Sequence, residues 1–216
     1  MIDKKNISIV IADDHPMILK GLNDELKTNS YNVVGQAESG IEALELILAH
    51  TPTLALLDID MPGFTGFEVI KMAKEKVVDT KFIVLSFHKE PDYISQAKAL
   101  QINGYLLKED SFSEIEHCIK NVLDGQIYFS SSFEPASIRS VSEELKKIEH
   151  LTSSEKTILK LVAKQMRSNE IAEMLSISTR TVEKHRSNII TKLEIENTTN
   201  SLNSWAYLYK NIIKDL

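Results

Sequence analysis

The sequence predicts two domains: an α/β domain built on a doubly wound, five-stranded parallel sheet, then a small all-α domain of four helices. Three observations lead there. Over residues 7–125, short apolar runs alternate five times with segments of helical periodicity, and such alternation implies parallel βαβ units. After Leu151 no run of strand character appears. Charge divides along the same line. Residues 1–130 carry 12 Lys+Arg and 20 Asp+Glu (−8), residues 131–150 carry 3 and 4 (−1), and residues 151–216 carry 10 and 7 (+3), giving the total of −6. An acidic half joined to a mildly basic half suggests two jobs, with any polyanion contact in the C-terminal part.

Each element has its own signal. ISIVIA at 7–12 is a short β-branched run and reads as a buried strand. Pro16 suits a first helical turn, and Met17, Ile18, Leu22 and Leu26 follow at helical spacing. Residues 31–37 (YNVVGQA) read as the second strand. Ser39 and Glu42 form a capping-box pattern opening a helix with Ile41, Leu44 and Leu48. LALL at 54–57 is the third strand, a helix runs from Phe67 to Lys76, and FIVLS at 82–86 is the fourth. Pro91 starts a helix through Ala99, and Gly104–Leu107 is the fifth strand. Ser111 and Glu114 suggest another capping box, for a helix ending near Gly125.

Residues 130–150 change character: Ser-rich at first, then helix-prone after Pro135. They read as a linker with a helical second half, between a domain at 1–129 and one at 151–216. Thr152 and Glu155 form a third capping box, and helices fit at 153–166, 168–175, 179–193 and 200–212. The apolar runs fall far short of the roughly 20 residues a membrane helix needs. The N-terminal apolar stretch stops at two aspartates, unlike a signal peptide, so the sequence reads as cytoplasmic. The one cysteine, Cys118, sits among Ile115, Ile119 and Val122 and reads as core.

Polar residues recur where strands end. Asp13 and Asp14 follow the first strand, Asp58 the third, Ser86 closes the fourth and Lys108 follows the fifth. In a doubly wound sheet these carboxyl ends form one rim, where such folds bind ligands. Three carboxylates together repel one another, and a hard divalent cation such as Mg²⁺, which takes few carboxylates plus water and phosphate oxygens, removes the conflict. Asp58 could then stay ionised and attack a phosphoryl group, giving an acyl phosphate. Lys108 would supply a point charge and Ser86 a hydroxyl donor.

The blocks IVIADDHP, LLDIDMPGFTG, LSFH and GYLLKED, in this order and spacing, resemble the receiver domain of bacterial response regulators, a flavodoxin-like fold. The resemblance spans residues 7–125. It implies that Asp58 is the phosphoacceptor, and that Mg²⁺ is held by one of Asp13 and Asp14, by Asp58 and by the backbone carbonyl of Asp60. It further implies that Ser86 and Tyr105 are the switch hydroxyl and aromatic, that Lys108 is the family's lysine, and that Pro62 and Gly66 form the turn after the acceptor. By the same logic phosphorylation draws Ser86 toward the phosphoryl group, and the Tyr105 ring turns inward behind it. Three neighbours stand out. Asp60 either alters the acyl phosphate's lifetime or is simply solvated. Phe87 either narrows access to the site or packs. His15 suits a supporting role better than ligation of a hard cation.

In the C-terminal part, Ser168 can cap a short helix with Ile171, Ala172 and Leu175. After a turn at 176–178, Ser178 or Thr179 caps a second helix with Val182, His185, Ile189 and Leu193 inward. By periodicity alone this fits any helical hairpin as well as a helix-turn-helix. The sequence from Leu151, with Thr152, Glu155, Glu170, Ile171, Ala172, Val182, His185 and Leu193 in place, resembles the DNA-binding domain of the NarL/FixJ, or LuxR-type, subfamily over residues 151–212, more weakly after Glu196. Gly is common after Lys-Leu in that family, and Glu194 stands there instead. Glu183, Lys184, Ser187, Asn188 and Thr191 should face outward. Lys184 and Asn188 suit base edges, whereas Arg180, Thr181, Arg186 and Lys192 suit phosphates. The last helix, with Leu202, Trp205, Ala206, Leu208 and Tyr209, covers the core or pairs with a second copy.

The resemblance thus implies a cytoplasmic regulator of transcription, not an enzyme. A sensor histidine kinase phosphorylates it, Mg²⁺ serves as cofactor, the linker transmits the change, and a homodimer binds double-stranded operator DNA. A metal-dependent phosphatase on a similar sheet is the competing class, disfavoured by the helix-turn-helix.

Overall fold

The computed structural model describes residues 4–76, 79–133, 135–195 and 201–214. By packing, the chain forms two units: residues up to Lys89 with Leu100–Phe133, and Glu90–Ala99 with the chain from 134 on. The expected start of the last helix at residue 200, and the weakening of the resemblance after Glu196, lie outside the described residues.

In the first unit the strands are β1 (Ser8–Ala12), β2 (Asn32–Ala37), β3 (Leu54–Leu57), β4 (Lys81–Ser86), β5 (Gly104–Leu107) and β6 (Tyr128–Phe129). They pair in the order β2-β1-β3-β4-β5-β6, all parallel. β3 and β5 are buried along their whole length, because helices cover both faces and solvent leaves no room for alternation. Ile9, Ile11, Leu54, Leu56 and Leu106 pack with Leu22 and Leu26 of α1 (Pro16–Thr28) and with Cys118 and Ile119 of α5 (Phe112–Leu123). Val10 points the opposite way, toward Leu46 of α2 (Gly40–His50), whose neighbour is α3 (Gly66–Glu75), as the two-residue period of a strand requires.

The sheet has one strand more than the sequence predicts. β6 is two residues long, too short for any periodic signal. Tyr128 N–H donates to Asn103 O at 2.9 Å and Ser130 N–H to Tyr105 O at 2.8 Å, so the chain continues along the β5 edge. This addition also overrides an expected cap. The Ser111 hydroxyl lies 2.8 Å from that of Ser113 and makes no cap bond. The Glu114 carboxylate instead accepts from Tyr128 Oη (2.7 Å), Ser131 N (2.9 Å) and Ser131 Oγ (2.9 Å). The Ser131 amide first, then the two hydroxyls, hold its pKa below the ordinary carboxylate value despite partial desolvation. The expected Thr152–Glu155 capping box is made, and Thr65 and Glu68 form another beyond those expected. At α2 only half of the expected box forms: Ser39 Oγ accepts from Glu42 N–H, but the Glu42 carboxylate accepts from Glu38 N–H rather than from Ser39.

The second unit holds α4 (Pro91–Ala99), α6 (Pro135–Glu149), α7 (Ser153–Ala163), α8 (Ser168–Met174), α9 (Thr179–Lys192), α10 (Ser201–Leu208) and α11 (Lys210–Lys214). Ile158, Leu159, Val162, Ile171, Val182, Ile189, Leu193, Leu202 and Ala206 share one buried cluster with Ile148 and Leu151. The predicted last helix is broken at Tyr209 into α10 and α11. Arg167, not Ser168, is the N-cap of α8, with Glu170 accepting from its backbone N–H at 2.7 Å. Among the described residues, no helix is long and apolar enough to cross a membrane.

Candidate functional site

The strand ends bring the acidic residues and Lys108 together. Asp58 N–H donates to Ala12 O, and Lys108 N–H to Ser86 O, both at 2.9 Å, so these side chains leave from one rim. Lys108 Nζ lies 2.8 Å from Asp13 Oδ2 and 2.8 Å from Asp58 Oδ2. All three side chains are at most 3% exposed, so the contacts act in a low dielectric. Asp58 Oδ1 accepts from Ile59 N–H at 2.7 Å.

The two ends of this pair respond differently to burial. Desolvation raises the Asp58 pKa above the ordinary carboxylate value, and the shared ammonium only partly offsets it, with Asp13 adding repulsion. Desolvation works to lower the Lys108 pKa, but two carboxylates against one ammonium prevail and raise it. One cation serving two buried anions explains both directions.

Asp14 is exposed beside them, and ligand atoms of Asp13, Asp14, His15 and Asp58 all fall within 4.8 Å of one another, a cluster that could hold a metal ion. The cluster carries more carboxylate charge than Lys108 balances, and its oxygen donors suit a hard cation such as Mg²⁺. His15 is spent on the acidic pair. Its N–H donates to Asp13 Oδ1 at 2.9 Å, and its Nδ1 lies 2.7 Å from Asp14 Oδ1. Gly66 explains how the turn after Asp58 fits beneath α3. A Cβ there would lie 2.1 Å from Asp58 O, and Gly66 N–H donates to Ile59 O at 2.9 Å.

Around this centre lie Phe87, Tyr105, Ser86 and Asp60. Phe87 is exposed, with its ring centroid 5.3 Å from Lys108 Nζ, a cation–π distance. Tyr105, expected to turn inward on phosphorylation, is already wholly buried. Its hydroxyl donates to His88 O at 3.0 Å, and its ring centroid lies 5.2 Å from that of Phe133 and 6.1 Å from that of Phe129. Ser86 is buried too, and its Oγ accepts from His88 N–H at 3.2 Å. Asp60 is exposed, yet its Oδ2 accepts from His88 Nε2 at 2.7 Å. His88 closes the LSFH block, but nothing in its spacing points to a partner at Asp60.

On α9, Arg180, Glu183, Lys184, Ser187, Asn188 and Thr191 are exposed, and His185 is partly buried. The Ser178 side chain accepts from Thr181 N–H at 3.0 Å and caps the helix. Two expected phosphate contacts are engaged within the domain. Arg186 Nη2 donates to Asn203 Oδ1 at 2.8 Å. Lys192 Nζ lies 2.7 Å from Oε2 of Glu155, a carboxylate only 4% exposed. Burial works to raise the Glu155 pKa, but Lys192 and the Thr152 bonds outweigh it and lower the value. Sequence spacing sees which way a residue points but not these partners.

Residues 9–120 match the family profile described as response regulator receiver domain, and residues 149–203 match the one described as bacterial regulatory proteins, luxR family. The chain is 34% identical over 202 residues to the transcriptional regulatory protein MctR of Rhizobium johnstonii, covering 92% of each. It is 34% identical over 194 residues to DesR of Bacillus subtilis, covering 88% of this chain and 92% of that one. Among solved structures, it is similar to RcsB of Salmonella enterica serovar Typhimurium bound to promoter rprA in the presence of phosphomimetic BeF₃⁻. The TM-score is 0.66 at 26% identity, covering 95% of this chain and all of that one. The receiver domain of a putative NarL from Mycobacterium tuberculosis gives a TM-score of 0.51 at 39% identity over 56% of this chain and 95% of that one.

Proposed function

The chain belongs to the two-component response regulators that join a receiver domain to a luxR-family DNA-binding domain, and from that premise we propose that phosphorylation of Asp58 controls its dimerisation and its binding to operator DNA. Its class is a regulator of transcription, and a receiver implies a sensor histidine kinase as partner. The observation that carries the proposal is the buried pair of carboxylates, Asp13 and Asp58, sharing Lys108 at 2.8 Å each.

The Asp58 carboxylate attacks phosphorus, and the donor's leaving group departs with the bonding pair. Asp13 or Asp14, Asp58 and the Asp60 carbonyl are the residues that would hold Mg²⁺, which when bound offsets carboxylate repulsion and phosphoryl charge. Lys108 stays charged, because its pKa is raised, and pairs with phosphoryl oxygens. Ser86 donates its hydroxyl proton to one of them. In the C-terminal domain, Lys184 and Asn188 meet base edges, with Ser187 and Thr191 on the same outward face, while Arg180, Thr181 and, in part, Arg186 and Lys192 meet the phosphates. The protein acts in the cytoplasm, with the 130–150 segment transmitting the change between domains at 1–129 and 151–216.

The test is transfer of label from a small phosphodonor in Mg²⁺ buffer. Wild type becomes labelled; Asp58→Ala does not, and a Mg²⁺ chelator stops labelling of the wild type. Label on Asp58→Ala overturns the assignment. Steady turnover of small phosphate esters would instead favour a phosphatase.

A further inference from the structure

His88 is tied three ways. Its backbone N–H donates to Ser86 Oγ at 3.2 Å, its backbone carbonyl accepts from Tyr105 Oη at 3.0 Å, and its ring Nε2 donates to Asp60 Oδ2 at 2.7 Å. The first two bonds tie Ser86 and Tyr105 to the same residue, through the peptide on either side of its Cα, so a shift of either one moves His88 or breaks its bond. The third fastens that residue to the turn after Asp58. Asp60 is 65% exposed and the His88 side chain 25%, so burial alone does not force them together.

We infer that the Asp60–His88 pair is a brace: His88 is a positioning residue that holds the loop after β4 against the acceptor turn, and so sets Ser86 and Tyr105 in place before any phosphoryl group arrives. This rests on reading those two residues as the switch pair. The bond polarities favour a brace over an obstruction. Ser86 Oγ accepts from His88 with a lone pair, which leaves the hydroxyl proton available for a phosphoryl oxygen. The Tyr105 ring is already wholly buried, with its hydroxyl held by the His88 carbonyl. The ordering of the loop is therefore met in advance by a protein side chain, and the phosphoryl group has a smaller equilibrium left to shift.

The experiment is amide hydrogen exchange, read residue by residue on the unphosphorylated full chain. Asp60→Ala and His88→Ala should each speed exchange at the residue 88 amide about tenfold, the scale of one hydrogen bond to a charged group. The double variant should be no faster than either single one. Nuclear Overhauser contacts between the Tyr105 ring and Phe133 should weaken in all three. Amides of β1 should keep their protection, and His88→Gln and Asp60→Asn, which retain a donor and an acceptor, should stay near wild type. Additive effects, no acceleration, or equal acceleration in the conservative variants would overturn the brace. So would general loss of protection through β1, unless the conservative variants alone remain folded and protected. Because no phosphodonor is used, failure of labelling at Asp58 would sink the acceptor assignment without deciding this measurement.

Discussion

At the rim of the sheet, Asp13, Asp58 and Lys108 are almost wholly buried and hold one another in place, whereas on α9 Lys184, Ser187 and Asn188 stand in solvent on a helix anchored from its other side by Val182 and Ile189. On the function proposed above, the rim works on one small group and needs fixed geometry, which partners within the protein supply. The helix face meets a long polyanion, and its partners lie outside the chain. Arg186 and Lys192 fall between these cases, charged side chains that flank the buried stripe of α9 and engage Asn203 and Glu155.

The widest expected effect breaks the rim. Gly66→Ala places a methyl against the Asp58 backbone carbonyl, which cannot swing aside as a side chain could, and should cost about 3 kcal/mol or more, the upper range of overpacking. Urea unfolding followed at the receiver checks this, and phosphoryl labelling should fall with it. On the helix, Lys184→Ala should relax sequence choice by about 1–3 kcal/mol at one base pair and leave stability unchanged. Lys192→Ala sharpens the contrast. It should destabilise the C-terminal domain by about 1 kcal/mol through the loss of the Glu155 pair, with weaker binding to all sequences. Because Glu155 has a depressed pKa, that stability is present above the unfolded carboxylate value and is lost as pH falls through the folded one. Melting at neutral and acid pH, with binding titrations at several salt concentrations, separates the two roles.

The acceptor itself should carry a stability cost. Its raised pKa means that ionised Asp58 opposes folding at neutral pH, and this opposition fades as pH drops through the folded value. In metal-free buffer Asp58→Asn should therefore melt a few degrees above wild type at pH 7, with the gain vanishing in acid. A lower midpoint at pH 7 would show that the Lys108 pair outweighs burial. The smallest effect lies at Glu194, which takes φ +54°, the left-handed conformation that glycine adopts freely. Glu194→Gly should stabilise the domain by about 0.5 kcal/mol, less whatever its exposed contact with Lys147 at 3.0 Å contributes.

The sheet and the acidic site were legible for the same reason. Buried strands must be apolar runs, and the residues just after them must lie at one rim, so order along the chain becomes position in space. The same holds for Thr152 and Glu155, whose box is local in sequence. What escaped reading depends on contacts between segments far apart in the chain. Glu114 left its expected box because Tyr128 and Ser131 arrive from 14 and 17 residues away. His88 meets Asp60 across 28 residues. Tyr105 is buried against Phe129 and Phe133, which come from the edge strand and the chain beyond it.

The two residues of β6 do more than lengthen the sheet. Without them β5 would present a bare row of amides and carbonyls, ready to recruit a strand from another molecule. At the opposite margin, β2 is guarded differently. Its pairing with β1 slips in register between Ile9 and Val10, a local twist that spoils the flat template such recruitment needs. A chain cut after Gly125 would keep the second guard and lose the first, so it should self-associate through its β5 edge in a concentration-dependent way, while one ending after Phe133 should not.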